Sequence, residues 1–224
     1  MKKPLTLFLI FISIKGFSQD EQLKTDWANL KRYASENQEL KAPAKAENRI
    51  VFMGNSITEF WKVTDSSFFI NKHYIDRGIS GQTTPQMLVR FRPDVLALRP
   101  SVVVILAGIN DIAENTGPIS LENIYGNIIS MIQLARVNKI RVVISSILPA
   151  NAFPWRPLIK PAEKIEKLNS MLEAYCKTNK IIYLDYYSKM VDENKGLDKR
   201  FTGDGVHPTL AGYKIMEPLV EIAI

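Results

Sequence analysis

Beyond residue 49 the chain alternates between short apolar runs and longer segments with helical periodicity. The apolar runs are rich in Val and Ile, are bounded by Gly, Asn, Asp or Pro, and lie at 50–53, 73–75, 102–107, 141–147 and 181–184. The run at 73–75 is the weakest of the five. Continuous apolar strands are typical of a parallel sheet that helices cover on both faces. The pattern therefore predicts five strands.

The segments between these runs carry apolar residues every three or four positions, which predicts helices. One predicted helix follows Ser120 as N-cap, and the last begins near Thr209 and is bent or ends near Pro218. The faces of two of them are formed by Leu121, Ile124, Ile128, Met131 and Ala135, and by Ile165, Leu168, Leu172 and Tyr175. Alternation over this length predicts a single three-layer α/β/α domain over residues 49–224.

The N-terminal part of the chain has a different pattern. Lys2 and Lys3 precede an apolar stretch of about ten residues and a small-residue site at 16–18, which predicts a cleaved signal peptide over 1–18 and an exported protein. A buried N-terminal helix or an uncleaved anchor is the alternative. Residues 20–40 have helical periodicity, which predicts an amphipathic helix that packs against the domain, and 41–48 form a linker.

Composition excludes several classes of protein. The chain is 46% hydrophobic and 23% charged, which is ordinary for a globular protein. Its formal charge of +6 falls to +3 without the three lysines of the predicted signal, and no basic cluster interleaved with aromatics indicates a nucleic-acid partner. One cysteine excludes an intrachain disulfide, and two histidines leave little for a metal site. No cofactor and no stable membrane insertion after signal cleavage are expected.

Polar residues follow the predicted strands, at the edge where parallel α/β sheets bind ligands. Ser56 follows the first strand and a glycine turn, so its hydroxyl and backbone N–H face the same space. Gly81 lies in a glycine-containing loop after the second strand, and Asn110 follows the third. Each has a plainer interpretation: Ser56 as a helix cap, and Gly81 and Asn110 as turn residues. Asp111 is expected to secure its loop.

The sequence GDGVHP near the C-terminus places an acid three residues before a histidine. On a tight turn Asp204 can hold the Nδ1–H of His207 and leave Nε2 free to accept a proton. His207 could instead be a helix cap. Ser56, His207 and Asp204, with the Ser56 and Gly81 amides and the Asn110 side chain, make up the complete set of groups for serine acyl transfer.

These residues resemble the four sequence blocks of the SGNH, or GDSL-type, esterase/lipase family. The matching segments are MGNSIT, RGISGQTT, AGIND and GDGVHP, and the resemblance covers roughly residues 49–220. It implies a flavodoxin-like sandwich with strand order 2-1-3-4-5. It further implies Ser56 as nucleophile, His207 as base, Asp204 as its orienting acid, and Ser56, Gly81 and Asn110 as the oxyanion hole. The segments FMGNSITEFW and ILPANAFPWRP are similar to a secreted bacterial acylhydrolase branch.

The chain departs from the family pattern at Asn55, where the family has Asp before the serine. Asparagine can still accept a hydrogen bond there, so the turn is expected to persist. Substrate choice is expected to lie in the proline-rich segment 148–163, where Trp155 and Arg156 could contact a sugar ring or an anionic group. Alternatively, Trp155 is simply buried. Cys176 is expected to be a packing residue.

The sequence therefore predicts a carboxylic ester hydrolase. Short acyl groups on a carbohydrate are the preferred substrates, and a lysophospholipid or another acyl ester or thioester is the alternative. A non-catalytic carbohydrate-binding module that retains the fold is a hypothesis of another class. Metal-dependent hydrolysis lacks ligands in the sequence. The oligomeric state is not indicated.

Overall fold

The computed structural model describes residues 26–44, 47–70 and 72–224. The predicted signal peptide at 1–18 lies outside these residues. Five strands form one parallel sheet: β1 (Ile50–Gly54), β2 (Tyr74–Gly78), β3 (Val102–Leu106), β4 (Arg141–Ser145) and β5 (Ile182–Leu184). Their order is β2-β1-β3-β4-β5, and every pair is parallel. The predicted fold class and strand order are confirmed.

The helices cover both faces of the sheet. They are α1 (Ala34–Glu39), α2 (Ser56–Thr64), α3 (Ser66–Phe69), α4 (Thr84–Asp94), α5 (Ile109–Ile112), α6 (Leu121–Val137), α7 (Ala162–Asn179), α8 (Tyr187–Met190) and α9 (Leu210–Ala223). Helix α6 packs between α4 and α7, whereas α2 contacts α9 through stacked Trp61 and Tyr213. No helix in the described ranges is long and apolar enough to cross a membrane.

The apolar strand runs form the centre of the core. All five residues of β1 and of β3 are buried, as a sheet covered on two faces requires. Ser120 caps α6 by accepting a hydrogen bond from Asn123 N at 3.2 Å, as predicted. Cys176 is buried in the core, also as predicted, and burial raises the pKa of its thiol to about 11.

Strand β2 extends further than the predicted 73–75 and ends at Gly78. Its second half contains Asp76 and Arg77, which interrupt the apolar pattern yet are buried. Residues 26–44, which we call the N-terminal segment, cover Arg77: Asn37 accepts hydrogen bonds from its guanidinium at 2.8 and 3.0 Å, and the Tyr33 ring lies 4.5 Å from that group. The polar half of the strand is therefore stabilised by contacts distant in the sequence.

The predicted helix over 20–40 differs from the structure in its described part. Only Ala34–Glu39 is helical, and turns precede it. Asp26 accepts hydrogen bonds from the amides of Leu30 and Lys31, and Asn29 has a left-handed φ of 53°, so the backbone turns instead of continuing as a helix. Trp27 is 43% exposed, so its side chain is not part of the core that the periodicity predicted.

The last helix runs through Pro218 to Ala223, so the prediction that it ends near Pro218 is wrong, and a bend there stays a prediction. A proline removes one backbone hydrogen bond. The apolar face of Tyr213, Met216 and Val220 is fully buried and continues past the proline. Packing of that face keeps the helix in place.

Candidate active site

Ser56 is the first residue of α2, directly beyond the carboxyl end of β1. Asn55 is the N-cap, and its side-chain oxygen accepts a hydrogen bond from Ile57 N at 3.1 Å. The turn therefore persists with asparagine, as expected, and the interpretation of Ser56 as the cap is wrong. The next amides of the helix, those of Thr58 and Glu59, donate to Asn55 O, whereas none of the described residues accepts a hydrogen bond from Ser56 N–H.

The start of α2 packs closely against the end of β2. A Cβ added to Gly78 would lie 2.2 Å from Glu59 N, so only glycine permits this approach. The helix that carries Ser56 and the loop that follows Gly78 are thereby brought together. We call residues 79–82 the oxyanion loop because they include Gly81, whose backbone N–H is predicted to be an oxyanion donor.

Asp204 and His207 lie on one tight turn beyond the last strand. Asp204 Oδ1 accepts hydrogen bonds from the amides of Val206 and His207 at 2.9 and 2.8 Å, and its Oδ2 lies 2.6 Å from His207 Nδ1. Gly205 has a left-handed φ of 83°, which allows the chain to turn between them. The turn therefore places the Asp204 carboxylate beside Nδ1 of the His207 ring.

Asp204 is held in its ionised form. Burial by itself would raise the pKa of this carboxyl, but hydrogen bonds from the His207 side chain and from the His207 and Val206 amides outweigh burial and lower the pKa to about 2. A carboxylate at this position favours the tautomer with the proton on Nδ1. Nε2 is then an acceptor.

The structure brings His207 and Ser56 together across 151 positions of sequence. His207 Nε2 lies 2.9 Å from Ser56 Oγ, which is hydrogen-bonding distance. A hydroxyl, an imidazole and a carboxylate therefore form one continuous hydrogen-bonded row. Such a row can transfer a proton from Oγ to Nε2 while Oγ attacks an electrophilic carbon.

Asn110 is hydrogen-bonded to Gln82, the residue that follows Gly81, so Gly81 and Asn110 lie close together. Gly81 has φ of 77°, and none of the described residues accepts a hydrogen bond from its N–H. Asn110 Nδ2 donates to Gln82 O at 3.0 Å, and its second amide hydrogen is left for another acceptor. This bond orients the Asn110 amide against the oxyanion loop.

Glu59 connects the oxyanion loop to the Ser56 helix. Its Oε2 accepts hydrogen bonds from Ser80 N at 2.8 Å and from Ser80 Oγ at 2.5 Å. Its Oε1 accepts one from the Arg32 guanidinium at 3.1 Å. Glu59 lies one turn after Ser56, so it fixes the loop relative to the helix.

Arg90 is a residue of the site that sequence reasoning missed. It is fully buried and donates hydrogen bonds to Gly54 O at 2.9 Å, to Asp94 Oδ2 at 3.0 Å and to the Gln82 side chain. It thus ties the end of β1, just before Ser56, to the oxyanion loop. The available signal was an Arg–Asp pair four positions apart on the same helical face as Met87.

Asp111 secures its loop, as predicted. It accepts hydrogen bonds from Thr84 N at 3.0 Å and from Thr84 Oγ1 at 2.6 Å. Burial raises the pKa of Asp111 to about 6, and the two hydrogen bonds from Thr84 act in the opposite direction. The contact holds the start of α4 to α5, the short helix that contains Asn110.

Trp155 lies at the rim beside His207. Its ring centroid is 6.2 Å from that of His207, its indole N–H donates to Asn115 Oδ1 at 3.2 Å, and 42% of the residue is exposed. The alternative that Trp155 is simply buried is therefore wrong. Phe60, which sequence reasoning did not select, lies 5.4 Å from the His207 ring. Arg156 is exposed and donates to Glu114 O at 3.4 Å.

The profile of the GDSL-like lipase/acylhydrolase family matches residues 52–215. Comparison with curated proteins gave no match. Among solved structures, a Bacteroides fragilis protein proposed to be an acylhydrolase is 56% identical, with 88% of this chain and 96% of that chain covered and a TM-score of 0.87.

Two further structures show how far the fold extends. A GDSL-like lipase from Bacteroides thetaiotaomicron is 55% identical over 88% of this chain and 97% of its own, with a TM-score of 0.86. An acetylxylan esterase from Geobacillus stearothermophilus is 15% identical over 82% of this chain and 95% of its own, with a TM-score of 0.64. At that identity the likeness extends to the fold alone.

Proposed function

Since the chain belongs to the GDSL-like lipase/acylhydrolase family, we propose that it is a serine esterase that removes short acyl groups from carbohydrates. The observation that carries the proposal is the hydrogen-bonded row of Ser56, His207 and Asp204, with distances of 2.9 and 2.6 Å. Each group has the chemical type that its position in the row requires.

In the first half of the reaction, Ser56 Oγ attacks the ester carbonyl carbon and His207 Nε2 takes the hydroxyl proton. The carbonyl oxygen becomes negatively charged, and the N–H groups of Ser56 and Gly81 and the Asn110 side chain donate hydrogen bonds to it. The C–O bond to the alcohol then breaks, and the alcohol leaves with the proton from His207. The acyl group stays on Ser56 as an ester.

In the second half, water attacks the acyl-enzyme. His207 accepts a proton from that water, the tetrahedral intermediate forms on the same donors, and the Oγ–C bond breaks. Ser56 recovers its proton from His207, and the carboxylic acid is released. Asp204 stays ionised throughout and stabilises the charged ring.

Two features support short acyl groups and a polar alcohol. Nine of the twelve residues that line the pocket adjoining Gly81 have polar side chains, which suits a polar alcohol better than an alkyl chain. Trp155 offers an exposed ring beside His207, where it can contact a sugar. The signal-like residues 1–18 support hydrolysis after export, which N-terminal sequencing of the secreted protein tests.

A fluorophosphonate probe tests the nucleophile directly. We expect covalent labelling of the folded protein and complete loss of labelling in Ser56→Ala. Ser170→Ala is the matched control because Ser170 is exposed on α7 and bonds only to Glu166 O, and it should label like the parent. Absence of labelling in folded protein would instead support the non-catalytic carbohydrate-binding module.

The acyl preference is tested with p-nitrophenyl esters from C2 to C12 beside O-acetylated sugars. The proposal expects kcat/KM to be highest for acetate and to fall as the chain lengthens. A maximum at C8–C12 would favour the lysophospholipase-like alternative.

A further inference from the structure

A pocket of about 470 Å³ lies on the side of the oxyanion loop formed by the N-terminal segment. The lining residues from the N-terminal segment are Asp26, Trp27, Asn29 and Arg32, and the others are Glu59, Ile79, Ser80, Gly81, Gln82, Gln86, Asn115 and Thr116. It shares Gly81 with the proposed oxyanion hole. A group in this pocket would therefore be adjacent to an ester whose carbonyl oxygen bonds to the Gly81 amide.

The N-terminal residues at the pocket are hydrogen-bonded to the oxyanion loop and to α4. Gln86 Nε2 donates to Trp27 O at 2.7 Å, and Gln82 Nε2 donates to Ala28 O at 2.7 Å. Arg32 reaches Glu59, which holds Ser80. The turns of the N-terminal segment are thus bonded to the loop and helix that carry the oxyanion donors.

The lining combines one exposed aromatic ring with many hydrogen-bonding groups. Trp27 is 43% exposed, and Asp26, Asn29, Asn115 and Thr116 line the same pocket. A pyranose ring has an apolar C–H face that an indole can cover and hydroxyls that amides and carboxylates can bind. An alkyl chain would remove these polar groups from water without replacing their hydrogen bonds.

Two of the three charged side chains that line the pocket compensate each other. Arg32 and Glu59 form an ion pair at 3.1 Å, so neither is a free partner for a charged ligand. Asp26 already accepts hydrogen bonds from two backbone amides. Asp26 therefore leaves the pocket with a negative charge that disfavours an acidic group, and its hydrogen-bonding lining suits a neutral, polyhydroxylated one.

We propose that this pocket binds the sugar ring of the alcohol part of the ester, with Trp27 as its stacking surface. The proposal rests on the proposed esterase function for its place in catalysis. The N-terminal segment then determines specificity although it lies outside the α/β domain.

The test compares two substrates in matched variants. For Trp27→Ala we expect about a tenfold loss of kcat/KM on mono-O-acetylated pyranosides and less than about a twofold change on p-nitrophenyl acetate. Trp27→Phe keeps an aromatic face and should recover most of the loss. Leu30→Ala is the control, because Leu30 is exposed on the same segment but does not line the pocket, and it should leave both substrates unchanged.

Equal losses on both substrates in Trp27→Ala would overturn the proposal, since the segment would then only shape the catalytic centre. Unchanged kinetics on both would overturn it as well.

A binding measurement separates the pocket from the chemistry. Calorimetry of Ser56→Ala with cellotriose, xylotriose and chitotriose should show binding of at least one trisaccharide, lost in the Ser56→Ala, Trp27→Ala double variant. That result would support the pocket even if no ester were hydrolysed. Failure of all three trisaccharides to bind would contradict it even if the esterase activity were established.

Discussion

The two sides of Ser56 are built in opposite ways. On the base side, Asp204 and His207 are three residues apart on an exposed turn, with side chains 45% and 25% exposed. On the oxyanion side, Asn110, Gln82 and Arg90 are almost completely buried. Their hydrogen bonds join positions 28 and 36 residues apart, from Asn110 to Gln82 and from Arg90 to Gly54.

This difference matches the proposed task of each side. A base must exchange protons with solvent water and a leaving alcohol, so partial exposure serves it. Donors to an oxyanion must be aimed before charge develops, which a rigid and buried network provides. We therefore expect substitutions on the base side to affect mainly activity and those in the buried network to affect stability strongly as well.

The largest effect is expected for His207→Ala. Loss of the base should lower kcat/KM on p-nitrophenyl acetate by on the order of 10⁴-fold, while the unfolding temperature stays close to that of the parent. The control is His73→Ala, at the only other histidine in the sequence, which is exposed. Steady-state kinetics and thermal unfolding check this prediction; a His207→Ala protein that retains a tenth of the activity would contradict it.

Arg90→Met is expected to destabilise the fold. It leaves the buried Asp94 carboxylate without its ion partner and removes donors from Gly54 O and Gln82. Loss of one partner of a buried pair costs about 3–5 kcal/mol in the free energy of unfolding. Urea denaturation measures the change. Arg92→Met on the exposed face of the same helix is the control, and equal stability of the two variants would refute the role of the network.

Asn110→Ala is expected to lower kcat by about 10²–10³, with a smaller change in KM, because it removes one donor to the oxyanion. Asn115→Ala is the matched variant: it contacts Gly81 O at 3.2 Å but is not a proposed donor, so its loss should be below about tenfold. Kinetics on p-nitrophenyl acetate compare the two. Equal losses would assign Asn110 a merely structural role.

The smallest expected effect is on how kcat/KM depends on pH in acidic solution. A protonated imidazole cannot accept the Ser56 proton, so kcat/KM should decline as the solution becomes acidic. The pKa of Asp204 is lowered to about 2, so this carboxylate stays charged throughout that decline. Its contribution to stability is fully present above about pH 4 and is lost only as the pH falls towards 2.

A pH–rate profile should therefore fall in acid with a limiting slope of one down to about pH 4, because Asp204 stays ionised there. A second ionisation within that range, or an activity maximum near pH 4, would be incompatible with this assignment.

The strands and their chemistry were largely predictable because their signals are local. A fully buried strand is a continuous apolar run, and the polar residues that follow it must lie at one edge of a parallel sheet. Strand β2 was only partly predicted because Asp76 and Arg77 interrupt its pattern. Their burial depends on Tyr33 and Asn37, which the sequence places about 40 residues earlier.

The amino-acid sequence by itself determined the apolar runs that form the strands, the turn before Ser56 and the Asp204–His207 turn. Each of these features depends on residues that are neighbours in the sequence. Only the tertiary structure decided that Arg90 joins the end of β1 to the oxyanion loop and that Trp27 faces a pocket beside Gly81. The hydrogen bond from Arg90 to Gly54 joins residues 36 positions apart, and the one from Gln82 to Ala28 joins residues 54 apart. No local pattern of residues specifies which distant groups will meet.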